Sequence, residues 1–308
     1  MRDVYSTTNS THIGIMKTKL SRRSALGRLA AGAAVASAAT SLSQRLAAAD
    51  NTAGLKGRIN HSVCKWCYGK VPLEDLCIAG RQMGLQSVEL LETKDFPTLQ
   101  KHGLICAMVS GVPGGINKGL NRLEHHDKIV AFYQETAPIV ARAGFKNIIC
   151  FSGNREGMSD EQGLENCTIG LKRIVPICEK HNVLAVMELL NSKVDHKDYM
   201  CDHTGWGVEL CKKVGSEHFK LLYDIYHMQI MEGDVIRTIR ENHPYIAHYH
   251  TGGVPGRHEI DDTQELYYPA VMKAIVETGF KGHVAQEFVP ARPDVLASLK
   301  QGVHICDV

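Results

Sequence analysis

The chain has 308 residues, 44% of them hydrophobic, and a formal net charge of only +2 at pH 7. This length and composition are sufficient for a large buried core. Lys and Arg are scattered rather than gathered into a stripe, and Trp and Phe are few. The sequence therefore predicts neither a nucleic-acid-binding surface nor a base-stacking platform.

The first 49 residues differ in composition from the rest of the chain. Arg22 and Arg23 precede an apolar tract over 29–42 that is rich in Ala, Gly and Ser, and three alanines follow at 47–49. This order is typical of a cleavable twin-arginine export signal. The apolar tract is too short and too weakly apolar for a membrane-spanning helix, so no stable span is expected after processing. We predict that residues 1–49 form a signal peptide and that residues 50–308 reach the periplasm or another extracytoplasmic space.

Ten cysteines are spread along the chain, and most lie within apolar patterns. Buried cysteines commonly act as small hydrophobic residues, so we predict packed thiols. Export of a chain that has already folded in a reducing compartment is consistent with such thiols. The one C-x-x-C, from Cys64 to Cys67, lacks the second pair that a structural zinc site needs.

From Gly57 onward, short apolar segments alternate with amphipathic ones. This alternation is typical of buried parallel strands separated by helices. The predicted strands cover 59–64, 87–91, 104–110, 147–152, 184–190, 220–225, 246–251 and 284–288. The predicted helices cover 73–83, 121–143, 161–181, 206–214, 234–241 and 267–278, and several end at a glycine suited to a left-handed C-cap.

Eight strands that alternate with helices, without a linker-like break, favour one closed (β/α)8 TIM barrel over two domains. The barrel would occupy residues 50–308. An open doubly wound sheet is disfavoured because no G-x-G-x-x-G follows the first strand. We therefore predict an α/β chain made of one barrel behind a cleavable export signal.

Four polar side chains stand at the ends of separate apolar runs, namely Glu188, Asp224, His250 and Glu287. A carboxylate or imidazole in such a place is costly unless it has a chemical role. Parallel strands bring their C-terminal ends to one face of a barrel, so the four side chains are expected to converge. Three carboxylates and one imidazole form a mostly hard ligand set, which predicts a divalent metal, Mg²⁺ or Mn²⁺.

Two glutamates beside a metal have a chemical use. One can remove a proton alpha to a carbonyl, and the other can return a proton at another carbon, while the metal polarises the carbonyl and stabilises the enediolate. The pattern therefore predicts a metal-assisted isomerase that acts on a small hydroxy-carbonyl compound, with Glu188 and Glu287 as catalytic residues.

Four tracts resemble the hydroxypyruvate isomerase family of the xylose-isomerase-like TIM barrel superfamily. They are YDIYHMQ at 223–229, MELLN at 187–191, PGRHEID at 255–261 and GFKG at 279–282, which leads to QEF at 286–288. The likeness covers about residues 57–293 and is strongest from Glu188 onward.

This resemblance implies a (β/α)8 barrel that interconverts hydroxypyruvate and tartronate semialdehyde (2-hydroxy-3-oxopropanoate). Glu188 and Glu287 match the paired acid and base glutamates of the family, and Asp224 matches the third carboxylate of the metal site. His227 matches a histidine that contacts substrate oxygen in related epimerases. Arg257 and Glu259 would orient the substrate.

Two other functions remain open from the sequence. His250 stands where the resemblance leads us to expect Gln in hydroxypyruvate isomerases, whereas the epimerases have His there. A ketose 3-epimerase or another sugar isomerase with the same metal site is therefore the first alternative. A non-catalytic barrel that binds a sugar or sugar acid is the second, and a homo-oligomer is compatible with each.

Overall fold

Parallel strands form the central sheet of the computed structural model, which describes residues 54–308. Within these residues there are seven strands: β1 (Asn60–Cys64), β2 (Ser87–Glu89), β3 (Asn147–Cys150), β4 (Leu184–Leu189), β5 (Phe219–Asp224), β6 (Ile246–Thr251) and β7 (His283–Gln286). Their order in the sheet is β2-β1-β7-β6-β5-β4-β3, and every neighbouring pair is parallel. Nearly every strand residue is buried, as expected where helices cover a parallel sheet. The export signal predicted for residues 1–49 lies outside the described residues.

Isolated bridges link the two outer strands of this sheet, β2 and β3, through one intervening segment. Parallel bridges pair Ser87 with Ile105 and Leu91 with Val109 on one side, and Val109 with Ile148 on the other. The sheet therefore curls round on itself in a TIM-barrel-like arrangement. The predicted α/β architecture with a curled parallel sheet is confirmed.

The predicted third strand, 104–110, is not a regular strand. The Nδ2 atom of Asn147 donates to the carbonyl oxygen of Ala107 at 2.9 Å, and the Ala107 N–H donates to Oγ of Ser87 at 2.9 Å. Because side chains engage both backbone groups of Ala107, these groups do not extend a ladder with the neighbouring strands. The prediction of eight regular strands was wrong at this position.

Helices lie between the strands in chain order. Within residues 54–308 they are α1 (Leu73–Gln82), α2 (Phe96–Lys101), α3 (His126–Arg142), α4 (Asp160–His181), α5 (Thr204–Val214), α6 (Ile225–Met231), α7 (Val235–Asn242), α8 (Tyr268–Glu277) and α9 (Val295–Cys306). Short 3₁₀ turns cover Lys65–Tyr68, Thr93–Asp95, Leu123–His125 and His243–Tyr245. The sequence predicted six of the helices but missed α2, α6 and α9.

Glycines end several of these helices as the sequence predicted. Gly84, Gly144, Gly215 and Gly279 have φ angles of 86°, 77°, 69° and 80°. These left-handed values carry little steric cost for a residue without a Cβ atom. Each glycine turns the chain from a helix towards the strand that follows it.

Helix α6 begins where the fifth regular strand ends, one residue earlier than the predicted boundary. The side chain of Asp224 accepts a hydrogen bond from the backbone N–H of His227 at 3.2 Å, which is an N-terminal helix cap. Capping therefore places His227 in the first turn of the helix, directly beside Asp224.

The thiols are packed as predicted. Nine of the ten cysteines are buried, Cys67 is half-buried, and all ten are free. Burial raises the pKa of Cys106 and of Cys150 above the ordinary value for a thiol. In the part of the chain that the structure describes, none of the helices has the length and apolar character needed to cross a membrane.

Candidate active site and metal centre

The four predicted ligands meet at the C-terminal ends of four neighbouring strands. Glu188 lies in β4, Asp224 ends β5, His250 lies in β6 and Glu287 directly follows β7. One ligand atom from each lies within 4.8 Å of the others, and all four side chains are buried. The strand-end pattern therefore placed the cluster correctly, because the parallel strands deliver their last residues to one face.

His250 lies between the two predicted catalytic carboxylates. Its Nδ1 atom is 3.2 Å from Oε1 of Glu188 and 2.7 Å from Oε2 of Glu287, and neither contact has hydrogen-bond geometry. Burial lowers the pKa of His250, but the neighbouring Cys64 and Glu287 outweigh it and raise the pKa well above its usual value. The carboxylates around the imidazole thus favour its positively charged form.

The environments of the two glutamates push their pKa values in opposite directions. Burial, assisted by the charge of Glu287, raises the pKa of Glu188. For Glu287 the effect of burial is outweighed by the positive charges of His250 and Arg257, which hold its pKa well below the usual range. Such a pair is suited to work as one proton donor and one proton acceptor.

Three buried atoms at the cluster lack a hydrogen-bond partner among the described residues: Oε1 of Glu188, Nδ1 of His250 and Nε2 of His227. Buried polar atoms are rarely left unpaired unless a water, ion or ligand completes them. Burial also raises the pKa of Asp224 well above its usual value, which is the expected cost of a carboxyl group without full compensation. A divalent cation beside Oε1 of Glu188, Nδ1 of His250 and the Asp224 carboxylate fits these observations, whereas Nε2 of His227 is left for another partner.

Arg257 reaches the cluster from the loop that follows β6. Its Nη2 atom lies 3.1 Å from Oδ2 of Asp224 and 2.7 Å from Oε2 of Glu287. The guanidinium carbon lies 5.2 Å from the ring centroid of Trp66 and 5.1 Å from that of Tyr226. The Nε atom of Arg257 is buried without a partner, so a donor remains available to an anionic ligand.

His227 lies beside Asp224, in the first turn of α6. Nδ2 of Asn191 lies 2.6 Å from Nδ1 of His227. Because an amide nitrogen only donates, Nδ1 accepts and the ring hydrogen is on Nε2. Nε2 is 3.6 Å from Oδ2 of Asp224, and burial together with Arg257 lowers the pKa of His227 well below its usual value. A neutral imidazole with an unpaired N–H is suited to donate to a substrate oxygen.

Glu259 does not line this site. Its carboxylate accepts hydrogen bonds from the backbone N–H groups of Ala291 and Arg292 at 3.2 Å and from Oγ of Ser298 at 2.7 Å. These contacts fasten the loop after β6 to the segment that leads into α9. The structure therefore assigns Glu259 to loop anchoring and does not bring it together with the other predicted substrate-binding residues.

Trp66 contacts one of the four clustered side chains. Its Nε1–H donates to Oε1 of Glu287 at 2.7 Å, and the side chain is about half exposed. Trp66 is the second residue after β1, so its position in the sequence already indicated that it lies at the same end of the sheet as the cluster.

A cavity of about 400 Å³ opens above the cluster. Its polar lining is Ser110, Glu188, His196, Arg257 and Glu287, whereas its remaining wall is mostly apolar and includes Trp66, Leu90, Val112, Ile116, Ile149, Phe151 and Leu190. A concave, mainly apolar pocket with a few convergent polar groups is typical of a small-molecule site.

Comparison with known proteins places the chain in a family. The family described as "Xylose isomerase-like TIM barrel" matches residues 84–302. A human protein named "Putative hydroxypyruvate isomerase" is 30% identical over 235 residues, which cover 76% of this chain and 80% of that protein. A "2-oxo-tetronate isomerase" of Cupriavidus necator is 34% identical over 108 residues, 35% of this chain and 41% of that one.

A solved structure shares the fold. D-psicose 3-epimerase from Clostridium cellulolyticum, crystallised with D-tagatose, has a TM-score of 0.65 and 16% sequence identity, and the match covers 81% of this chain and 100% of that one. The isomerase names of the sequence relatives set aside the alternative of a non-catalytic sugar-binding barrel. The chain belongs to the xylose-isomerase-like TIM barrel family, as its resemblance to hydroxypyruvate isomerases predicted, and it is an isomerase.

Proposed function

We propose that the protein interconverts hydroxypyruvate and tartronate semialdehyde by proton transfer through an enediolate, with Glu188 and Glu287 as acid and base. The observation that carries this proposal is the meeting of Glu188, Asp224, His250 and Glu287, with one atom of each within 4.8 Å of the others, beside a cavity that Glu188 and Glu287 line. The isomerase names of the sequence relatives support the same class of reaction.

We propose Mg²⁺ or Mn²⁺ as the ion that Glu188, Asp224, His250 and Glu287 hold. Three carboxylate groups and one imidazole suit a hard divalent cation. Oε1 of Glu188 and Nδ1 of His250 have no hydrogen-bond partner among the described residues and are therefore available to coordinate it. When bound, such an ion polarises the substrate oxygens and stabilises the negative charge of the enediolate.

The opposite pKa shifts favour one direction for the proton movement. Glu287, whose pKa is lowered, takes the proton from C3 of hydroxypyruvate, and Glu188, whose pKa is raised, gives a proton to C2. The hydroxyl proton moves from O3 to O2, so the product has the same atoms as the substrate. Exchange with water in the open cavity then returns each glutamate to its starting state.

Arg257 and His227 favour an acid as the substrate. The unpaired Nε–H of Arg257 offers a charge-assisted hydrogen bond to a substrate carboxylate. The unpaired Nε2–H of His227 offers a neutral donor to a hydroxyl or carbonyl oxygen nearby. A neutral sugar would make no use of the positive charge of the guanidinium.

A second candidate is an isomerase or 3-epimerase that acts on a longer hydroxy-oxo acid or a ketose. The observation that favours it is the cavity of about 400 Å³, which exceeds what a three-carbon acid fills. The same two glutamates would then exchange protons at another pair of positions on a longer chain.

Proton exchange in D₂O tests both candidates. Residues 50–308 are incubated in D₂O with hydroxypyruvate, a four-carbon 2-oxo acid or D-psicose, in the presence of Mg²⁺, Mn²⁺ or EDTA. Proton NMR follows the loss of each carbon-bound proton signal as deuterium replaces the proton. We expect exchange at C2 and C3 of the three-carbon pair, and a fall of about 10²–10⁴-fold in Glu188→Gln and in Glu287→Gln. Exchange on D-psicose alone would select the second candidate.

The matched control is Glu161→Gln, which changes an exposed glutamate on α4. It is expected to keep wild-type exchange rates. The isomerase proposal fails if no substrate exchanges, or if the Glu188 and Glu287 variants are as active as this control. Full activity in EDTA after exhaustive dialysis would remove the metal from the mechanism.

A further inference from the structure

A buried carboxylate beneath the cluster has no part in the chemistry described above. Glu89 ends β2 and has no exposed surface. Its Oε2 atom accepts a hydrogen bond from Oγ of Ser62 at 2.5 Å, and its Oε1 atom lies 2.7 Å from Nε2 of His248 and 3.0 Å from Nε2 of His250. Sγ of Cys64 is a further weak donor at 4.0 Å. A charged group in such a place is expected to serve a purpose.

The strand geometry brings both imidazoles to this carboxylate. Residues two apart on a strand point to the same face, so β6 presents His248 and His250 together towards the inside of the curled sheet. Their rings are 5.1 Å apart and nearly perpendicular, at 85°. Glu89 comes from β2, on the far side of β1 and β7 in the sheet order, and meets them across the interior.

The chemistry of the contact determines which nitrogen of His250 carries a hydrogen. A carboxylate accepts hydrogen bonds but cannot donate them, so the Nε2 atom of His250 donates to Glu89. The lone pair that remains available to an ion is then on Nδ1, which faces Glu188 and Glu287 at 3.2 and 2.7 Å. A carboxylate on the outer nitrogen of a metal-binding histidine holds the ring orientation and its tautomer.

We propose that Glu89 is a positioning residue, which holds the His250 ring with Nε2–H directed at its carboxylate and Nδ1 directed at the metal. The inference rests on the proposed metal site. His248 shares Oε1 of Glu89 with His250, and Ser62 satisfies Oε2, so the carboxylate is held from both sides. Glu89 then acts on the ion through His250 without touching the ion or the substrate.

A competing arrangement uses some of the same side chains. Sγ of Cys64, a carboxylate oxygen of Glu89 and Nε2 of His250 also lie within 4.8 Å of one another, in a set that a softer ion would favour. An ion there would need the lone pair of Nε2 and would leave Nδ1 protonated. The two arrangements therefore require opposite tautomers of His250.

Proton and nitrogen NMR of the full mature chain, labelled with ¹⁵N-histidine, distinguishes them. In wild type we expect a hydrogen-bonded Nε2 proton on His250 without metal, and the Nε2–H tautomer once Mg²⁺ is added. Glu89→Leu, which leaves no acceptor at this position, should lose this resonance and weaken Mg²⁺ or Mn²⁺ binding by about 10–100-fold in calorimetry. The control, Glu161→Gln, changes an exposed glutamate on α4 and should bind metal as the wild type does.

Several results would overturn the proposal. One is a folded Glu89→Leu variant that binds metal as tightly as Glu161→Gln; another is an Nδ1–H tautomer in the metal-loaded wild type. A cysteinate-to-cobalt charge-transfer band in the Co²⁺-loaded wild type would place the ion beside Cys64 instead. If wild type binds no metal, the proposed metal site fails, whereas the Nε2 proton in the metal-free protein still decides whether Glu89 holds the ring.

Discussion

The indole Nε1–H of Trp66 donates a 2.7 Å hydrogen bond to Oε1 of Glu287, while Oε2 of the same carboxylate faces His250 and Arg257. Both oxygens of the catalytic base that we propose are thus held from different directions. Trp66 follows β1 and Glu287 follows β7, and these two strands are neighbours in the sheet. The contact therefore depends on the strand order as well as on the two residues.

Trp66→Phe is expected to lower kcat about tenfold, with little change in metal affinity. The variant keeps an aromatic ring beside Arg257 but removes the donor to Glu287, and a hydrogen bond to a charged group contributes about 1.5–3 kcal/mol. Steady-state kinetics and calorimetry with Mn²⁺ measure the two quantities separately. An unchanged kcat would mean that the indole serves only as pocket wall.

Arg257→Met is expected to raise KM for hydroxypyruvate about 10–100-fold, because the substrate carboxylate loses its charge-assisted partner. KM for a neutral ketose should change far less. Arg257→Lys keeps the charge but loses the planar set of donors, so it should recover only part of the loss. Equal changes in KM for the acid and the ketose would contradict a carboxylate-binding role.

Metal binding is expected to stabilise the fold. A ligand that binds only the native state adds about 2.7 kcal/mol at a hundred times its Kd. We therefore expect Mg²⁺ or Mn²⁺ to raise Tm and EDTA to reverse the change. Asp224→Asn should abolish most of the shift, because one of the carboxylates of the cluster loses its charge. A Tm that does not respond to any divalent cation would count against the site.

We expect His61 to lower the free energy of unfolding in mild acid. Burial lowers its pKa from the usual value of 6.5 to about 4, so the unfolded chain binds a proton between these values that the folded chain does not. The neutral, buried ring makes its full contribution to the free energy of unfolding above pH 6.5. As the pH falls towards 4, about 3 kcal/mol of this contribution is lost. Urea unfolding from pH 7 to 4 measures this slope.

The His61→Gln variant should show a shallower slope over this range than the wild type. His243→Gln, which changes an exposed histidine, should leave the slope unchanged. If His61→Gln and the wild type lose stability in parallel, the acid sensitivity comes from other groups.

Export remains a prediction from the N-terminal segment. Replacing Arg22 and Arg23 together by Lys is expected to retain the protein in the cytoplasm, since a twin-arginine signal depends on the pair. Cell fractionation shows the distribution, and sequencing of the mature N-terminus locates cleavage relative to Ala49. Unchanged export of the double variant by the same route would disprove this signal.

Much of the candidate site could be predicted because its residues carry a local signal. A carboxylate or imidazole at the end of an apolar run is recognisable within a few residues of sequence, as at Glu188 and Asp224. The alternation of strands and helices is equally local, since it depends on hydrophobic period and turn residues. Parallel strands then bring such ends together at one face, so convergence followed from the fold class alone.

Other features depended on contacts between distant parts of the chain. The segment around Ala107 is irregular because side chains of two neighbouring strands engage its backbone. Glu259 anchors a loop because the chain before α9 passes beside it. Neither contact leaves a pattern in a short window of sequence, so the strand prediction failed at Ala107 and the loop contact of Glu259 was not predicted.

From sequence alone, the fold class, the strand-end position of the four clustered side chains and an isomerase reaction could be predicted. The contact of Glu89 with His248 and His250, which are 159 and 161 residues away in the chain, could be seen only once the chain was folded. The same is true of the contact between Trp66 and Glu287. Hydrophobic period is a local property, whereas these hydrogen bonds need the curled sheet to bring side-chain atoms of separate strands within about 3 Å of each other.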